Sequence, residues 1–172
     1  PKNDIAFKKI FGSEKNKDIL IHFINDIMGF KDGDLIKDVS FLSPVQDPEI
    51  AYKKQSAVDV LCEAENGTKI IVEMQVAPFK GFEKRAQYYA AKAYSRQLAQ
   101  GKAAAGLYAN LKEIIFIAIS EYKIFPKKLA YISHHVILDK NTYDHDLKDF
   151  SFSFIELPKF PIEKIEDLKT II

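Results

Sequence analysis

A single cysteine, Cys62, stands among 172 residues, which excludes an internal disulfide and suits a reducing compartment. Its expected role is that of a small core residue. No apolar run approaches the roughly 18 residues of a membrane span, and no charged-then-apolar leader opens the chain. The expectation is therefore a cytoplasmic protein with no membrane partner, in which Asn66-Gly-Thr68 is an idle glycosylation match. A glycine-rich phosphate loop, internal repeats and low-complexity tracts are also missing, so nothing supports a nucleotide-cradling loop or a repeat array. The net charge of +1 leaves no overall electrostatic pull on a polyanion. Any nucleic-acid partner must be held by a local patch.

What is present is a core-forming composition, 47% hydrophobic, enough for one domain. Its organising stretch is Val58 to Gln75, two strand-like runs that meet at Asn66-Gly67. Val58, Val60 and Cys62 alternate with Asp59, Leu61 and Glu63; Ile70, Val72 and Met74 alternate with Ile71, Glu73 and Gln75. The turn decides whether the acids meet. A two-residue loop at Asn66-Gly67 sets Asp59 opposite Met74, with the acids on opposite faces. A three-residue loop of Glu65, Asn66 and Gly67, with Gly67 left-handed, pairs Ala64 with Thr68 and sets Asp59 opposite Glu73. Opposed Cβ atoms lie about 4.5–5.5 Å apart, so two carboxylates there repel unless a cation intervenes. Two such acids suit Mg²⁺, which takes one or two carboxylates together with waters and a substrate phosphate.

Upstream, Ile5, Phe7, Ile10 and Phe11 pattern a short helix after Asp4 that ends at Gly12. Leu20, Phe23, Ile24, Ile27 and Met28 pattern a second, with Ser13 as its cap and Gly29 as its stop. Leu35 to Val45 reads as a strand bounded by Gly33 and Pro44. Downstream, Gly81 to Gln100 reads as a long helix. Six basic residues between Pro78 and Lys102 face the single acid Glu83. Arg85, Lys92 and Arg96 share a face with Tyr88 or Tyr89, a way to hold a phosphate backbone, although a solvated helix face looks the same. Ile114 to Ile119 is a continuous apolar run, typical of a strand covered on both faces. Tyr131–Leu138 and Phe150–Leu157 read as two more strands. His134 and His135, adjacent and thus on opposite strand faces, are expected to be structural. From Asp139 onward eight acids outnumber five lysines, so DNA should avoid this end.

Asp59 followed by Glu73-Met-Gln75 resembles the signature of the PD-(D/E)XK nuclease superfamily in its Asp…Glu-x-Gln form. Ala6-Phe-Lys-Lys-Ile-Phe-Gly12, Lys54-Gln-Ser-Ala-Val-Asp59, Arg85-Ala-Gln-Tyr-Tyr89, Tyr94-Ser-Arg-Gln97 and Glu156-Leu-Pro-Lys-Phe160 resemble, in this order and spacing, the Rpn family of recombination-promoting nucleases, often labelled transposases. The resemblance implies an α/β restriction-endonuclease-like three-layer sandwich with a central mixed β-sheet. It spans a nuclease-like domain over 4–160. The chain opens at Pro1 and stops mid-pattern at Ile172, so 161–172 reads as the start of a truncated C-terminal region. The implied activity is metal-dependent DNA cleavage that promotes recombination, with Asp59, Glu73 and the Met74 carbonyl as ligands for Mg²⁺ or Mn²⁺. Gln75 would position the attacking water, and Arg85, Tyr89, Lys92 and Arg96 would contact DNA phosphate. Gln75 stands where the superfamily usually has lysine and supplies no positive charge; Lys54 is one source of that charge, and the metal acting alone is the alternative. Superfamily nucleases can add an acid from the first helix, and Glu14, Asp18 and Asp26 are equal candidates here. Cutting both strands would call for a homodimer. Gln75 also keeps open a weak or inactive module that binds DNA or protein.

Overall fold

The structure, a computed structural model, describes residues 4–46, 56–98 and 108–160. Two helices, α1 (Asp4–Phe11) and α2 (Lys17–Met28), open it. Phe7, Leu20 and Ile24 turn inward at helical spacing and are almost completely buried. Gly29 stops α2 in the left-handed conformation, φ 66°, where a side chain is strained. Ser13 makes no side-chain cap, because a 3-10 turn over Glu14–Asn16 comes between it and α2.

The strand expected from Leu35 to Val45 breaks into β1 (Val39–Phe41) and β2 (Val45–Gln46). One cause is Asn25 on α2. Its side chain donates to the Ile36 carbonyl and accepts from the Ile36 N–H, both at 2.9 Å, which withdraws Ile36 from any ladder. The Pro44 turn is the second break. β3 (Ser56–Ala57) pairs with β2 as a separate two-stranded ribbon. The remaining elements are β4 (Val60–Ala64), β5 (Lys69–Gln75), α3 (Phe82–Ser95), β6 (Ile114–Ser120), β7 (Ile132–Val136) and β8 (Phe150–Glu156). The helix expected to reach Gln100 stops at Ser95. Just beyond its end, the Gln97 carboxamide bonds both the N–H and the carbonyl of Lys112, at 2.9 and 2.8 Å.

The main sheet runs β1-β4-β5-β6-β8-β7. Its centre, β5-β6-β8, is parallel, and the pairs outside it are antiparallel, which makes the sheet mixed. Every residue of β6 is buried, as its continuous apolar run requires of a strand covered twice. Alternation divides the core. Ile70, Val72, Met74, Ile115 and Ile117 pack toward Phe7, Leu20 and Ile24, whereas Ile71, Phe116 and Ala118 pack toward Phe82, Ala86 and Ala90 of α3. The result is the three-layer α/β sandwich expected, with α1 and α2 on one face and α3 on the other. Cys62 lies in the first layer, and burial pushes its thiol up to about 12.

Two sequence motifs resolve into structure. Glu156, fully buried, accepts the Phe125 N–H at 2.9 Å and pairs with Lys159, which also donates to the Phe125 carbonyl at 2.8 Å. Glu156-Leu-Pro-Lys-Phe160 is thus a clamp on the loop between β6 and β7. His134 bonds Ser153 and His135 bonds Ser133, the structural roles expected of them. Among the described residues no helix is long and apolar enough to cross a membrane.

Candidate active site

The β4-β5 hairpin closes through Glu65, Asn66 and Gly67 at φ 90°, with the Ala64 N–H bonded to the Thr68 carbonyl. This is the three-residue alternative. Pairing runs Val60↔Val72 through Glu63↔Lys69, a register that extrapolates to Asp59 opposite Glu73. The ladder stops there because the chain bends at Asp59. Val58, before the bend, packs in the α3 layer, while Val60, after it, packs in the α1–α2 layer. The N–H of Met74 that would have met the next rung is taken by Asp59 Oδ2 at 2.9 Å. The Asp59 side chain therefore stands in for a backbone carbonyl, which fixes where its carboxylate sits.

Glu73 lies on the α3 side of β5 and is 3% exposed. Burial, and then the neighbouring Asp59 charge, push its carboxyl up to about 8, although Arg85 opposes the shift. Its Oε2 is 3.7 Å from the Arg85 guanidinium and 3.5 Å from the Gln75 amide, and its Oε1 has no hydrogen-bond partner. Gln75 donates to the Met74 carbonyl at 3.1 Å, so the carboxamide, the carbonyl and the Glu73 carboxyl form one cluster.

Two cations enter from opposite layers. Arg85 of α3 is set among the rings of Phe79, Phe82 and Tyr89, 5.0–5.5 Å from their centroids, and its Nε is buried without a partner. Lys8 of α1 reaches Asp59 Oδ1 at 3.0 Å. Sequence reasoning missed Lys8 as a member of the site. Its signal was the Phe7 and Phe11 spacing, which turns α1 inward, but neither Lys8 nor Lys9 was distinguished by it.

The other expected residues are distributed differently. Tyr89 is half-buried beside Arg85, and burial raises its hydroxyl. Lys92, expected to contact phosphate, is 9% exposed on the stretch of α3 beside Ala93. Arg96 is exposed at the end of α3. Lys54 lies outside the described residues. Glu14, Asp18 and Asp26 appear in none of the contacts at Glu73 or Asp59, so no acid from the first helices joins the pair.

The donors fit a hard divalent cation. They are two carboxylates and a peptide carbonyl, all oxygen, and one buried carboxylate oxygen has its bonding capacity unused. Among the described residues no group of three or more His, Cys, Asp or Glu assembles.

A mixed sheet between helical layers, with two opposed carboxylates beside the first parallel crossover, defines a restriction-endonuclease-like protein. A family model described as PD-(D/E)XK nuclease family transposase matches residues 1–170, and the chain belongs to that family. No curated protein and no solved structure matches the chain significantly.

Proposed function

We propose that the chain is a DNA endonuclease that hydrolyses phosphodiester bonds with Mg²⁺, or Mn²⁺ in its place, held by Asp59, Glu73 and the Met74 carbonyl. The observation that carries this reading is that Glu73 and Arg85, whose Oε2 and terminal guanidinium nitrogen lie 3.7 Å apart, each keep a buried polar atom without a hydrogen-bond partner, Glu73 Oε1 and Arg85 Nε. Native structures satisfy nearly all buried polar atoms, and an acid and a guanidinium left open together suit a cation and an anion that arrive together. A metal phosphate ester complex is such a ligand. The bound metal supplies Lewis acidity and a lowered pKa for attacking water.

The protein's own residues do the rest. Asp59 is pre-aimed by the Met74 N–H. Arg85, stiffened by three rings, offers its unpartnered Nε–H to a phosphate oxygen. Gln75, within reach of both Glu73 and Met74, orients the attacking water by hydrogen bonding. Exposed Arg96 extends the phosphate track along α3. A domain over 4–160 carries this chemistry in the cytoplasm. Cutting both strands engages a second copy of the chain, and the biological outcome is recombination.

One observation favours a second reading. Gln75 brings no charge to the attacking water, which suits a weak or inactive nuclease fold that binds DNA or another protein. Supercoiled plasmid incubated with Mg²⁺, Mn²⁺, Ca²⁺ or EDTA separates the two. Nicking in Mg²⁺ or Mn²⁺ that vanishes in Asp59→Ala and Glu73→Ala is expected. DNA retention without cleavage, indifferent to both substitutions, sinks the enzyme reading.

A further inference from the structure

We propose that Lys8 is a catalytic residue of this site, the cation that leaves Asp59 for the scissile phosphate when metal takes its place. The inference rests on the nuclease reading above and assigns it a residue. Lys8 Nζ is 3.0 Å from Asp59 Oδ1, and its side chain is 48% exposed against 11% for Asp59, so it covers the acid at the solvent mouth of the site. Its charge also acts on Glu73, helping to hold that carboxyl down. It thus faces both candidate ligands. Arg85 faces them from the opposite layer but is locked among three rings.

The root of Lys8 is fixed by the fold, whereas its tip is not. Phe7, next to it, is 1% exposed and stacks on Phe11, which stacks on Phe23 of α2, each pair at 4.9 Å. At the end of α1, the Gly12 N–H bonds the Lys8 carbonyl at 2.9 Å. A Cβ on Gly12 would stand 2.8 Å from that carbonyl and 3.5 Å from Val60 of β4. Close approach at Gly12 therefore seats α1 against the strand that begins one residue after Asp59. From that anchor a flexible four-carbon stem carries the ammonium.

The Lys8 end of the pair is 48% exposed and open to water, so the contact contributes only modestly to stability and is a weak reason to keep a lysine there. A divalent ion at Asp59 displaces it readily. The ammonium then lies beside the position where a phosphate oxygen gains negative charge, the role for which Gln75 has no charge. In the step itself the water oxygen bonds to phosphorus, the ester P–O bond breaks, and the water proton ends on the leaving oxygen. Lys8 keeps its own protons throughout and offsets the growing charge.

The test uses the whole chain with Lys8→Met and Lys8→Arg, Mn²⁺ titrated by calorimetry, and plasmid nicking at saturating Mn²⁺. For Lys8→Met we expect Mn²⁺ to bind about five-fold tighter, because a competing cation is gone, while nicking slows roughly 10²–10³-fold. Lys8→Arg should recover part of the rate. Nicking by Lys8→Met at the wild-type rate overturns the assignment and leaves the nuclease reading standing. Weaker Mn²⁺ binding together with lost nicking also overturns it, since that pattern marks a merely structural lysine. If the wild type binds Mn²⁺ no better than Asp59→Ala and never nicks, the nuclease reading falls and the assignment falls with it.

Discussion

Replacing Glu73 with glutamine isolates the cost of the buried carboxyl in the metal-free protein. Its pKa in the folded chain is about 8 against an ordinary 4.5. Between those values the folded state holds a proton that the unfolded chain releases. Stability from this group is therefore fully present below about 4.5 and is lost as pH rises toward 8, opposite to the behaviour of a salt-bridged acid. The gap is about 3.5 pH units, which at about 1.4 kcal/mol each gives an upper bound of about 5 kcal/mol. Glutamine keeps the shape and carries no such charge. The stability of Glu73→Gln minus that of wild type should thus grow by about 1.4 kcal/mol per pH unit from roughly 5 to 8, then level off. Groups that do not interact with Glu73 cancel in the difference; Asp59, Arg85 and Lys8 act on it, so their coupling is included in the change. The chain has no tryptophan, so urea unfolding is best followed by circular dichroism at pH 5, 6, 7, 8 and 9, in EDTA. Parallel curves for the two proteins would refute the reasoning, because they would mean that Glu73 titrates alike folded and unfolded.

Other outcomes follow from the same structure. Asp59→Asn should abolish Mn²⁺-dependent nicking while costing at most about 1–2 kcal/mol, because an amide oxygen can still accept the Met74 N–H. Arg85→Gln should weaken plasmid retention and lower its salt slope by about one, as loss of one phosphate contact predicts; an unchanged slope refutes the contact. Lys159→Met strands the fully buried Glu156 charge. That should cost roughly 3–5 kcal/mol, which at ~2–4 °C per kcal/mol lowers Tm by about 6–20 °C. Gly29→Ala, strained at φ 66°, should cost about 1 kcal/mol in a chemical melt and leave nicking untouched.

How much of this was legible in the sequence depended on the range of each interaction. The hairpin acids were readable because period-two alternation and one glycine fix a register over fifteen residues. The buried run of β6 was readable because six consecutive apolar residues, Ile114 to Ile119, leave no polar face. Lys8 was not, since its partner lies some fifty residues away and only packing selects it from Lys9. The broken first strand was hidden for a similar reason. Asn25 sits on a helix, and nothing local reveals that its carboxamide claims the backbone of Ile36. Helical spacing puts Lys92 in line with Arg85 but does not say how deeply that line is buried, and Lys92 is 9% exposed.

The short loop joining β4 to β5 also bears on the order in which the chain assembles. Asp59 and Glu73 belong to a hairpin of the kind that closes in about 1–10 μs, whereas Lys8 and Arg85 arrive only when α1 and α3 dock from either side. During that interval two carboxylates face each other without their cations, and the hairpin resists its own closure near Asp59. Docking the two helices brings Lys8 to Asp59 and Arg85 to Glu73, and it also buries Glu73, whose carboxyl is pushed up to about 8, so the pair is completed by a proton as well as by cations. A chain that has not yet seated both helices therefore has Asp59 and Glu73 in one hairpin but lacks Lys8 and Arg85 beside them.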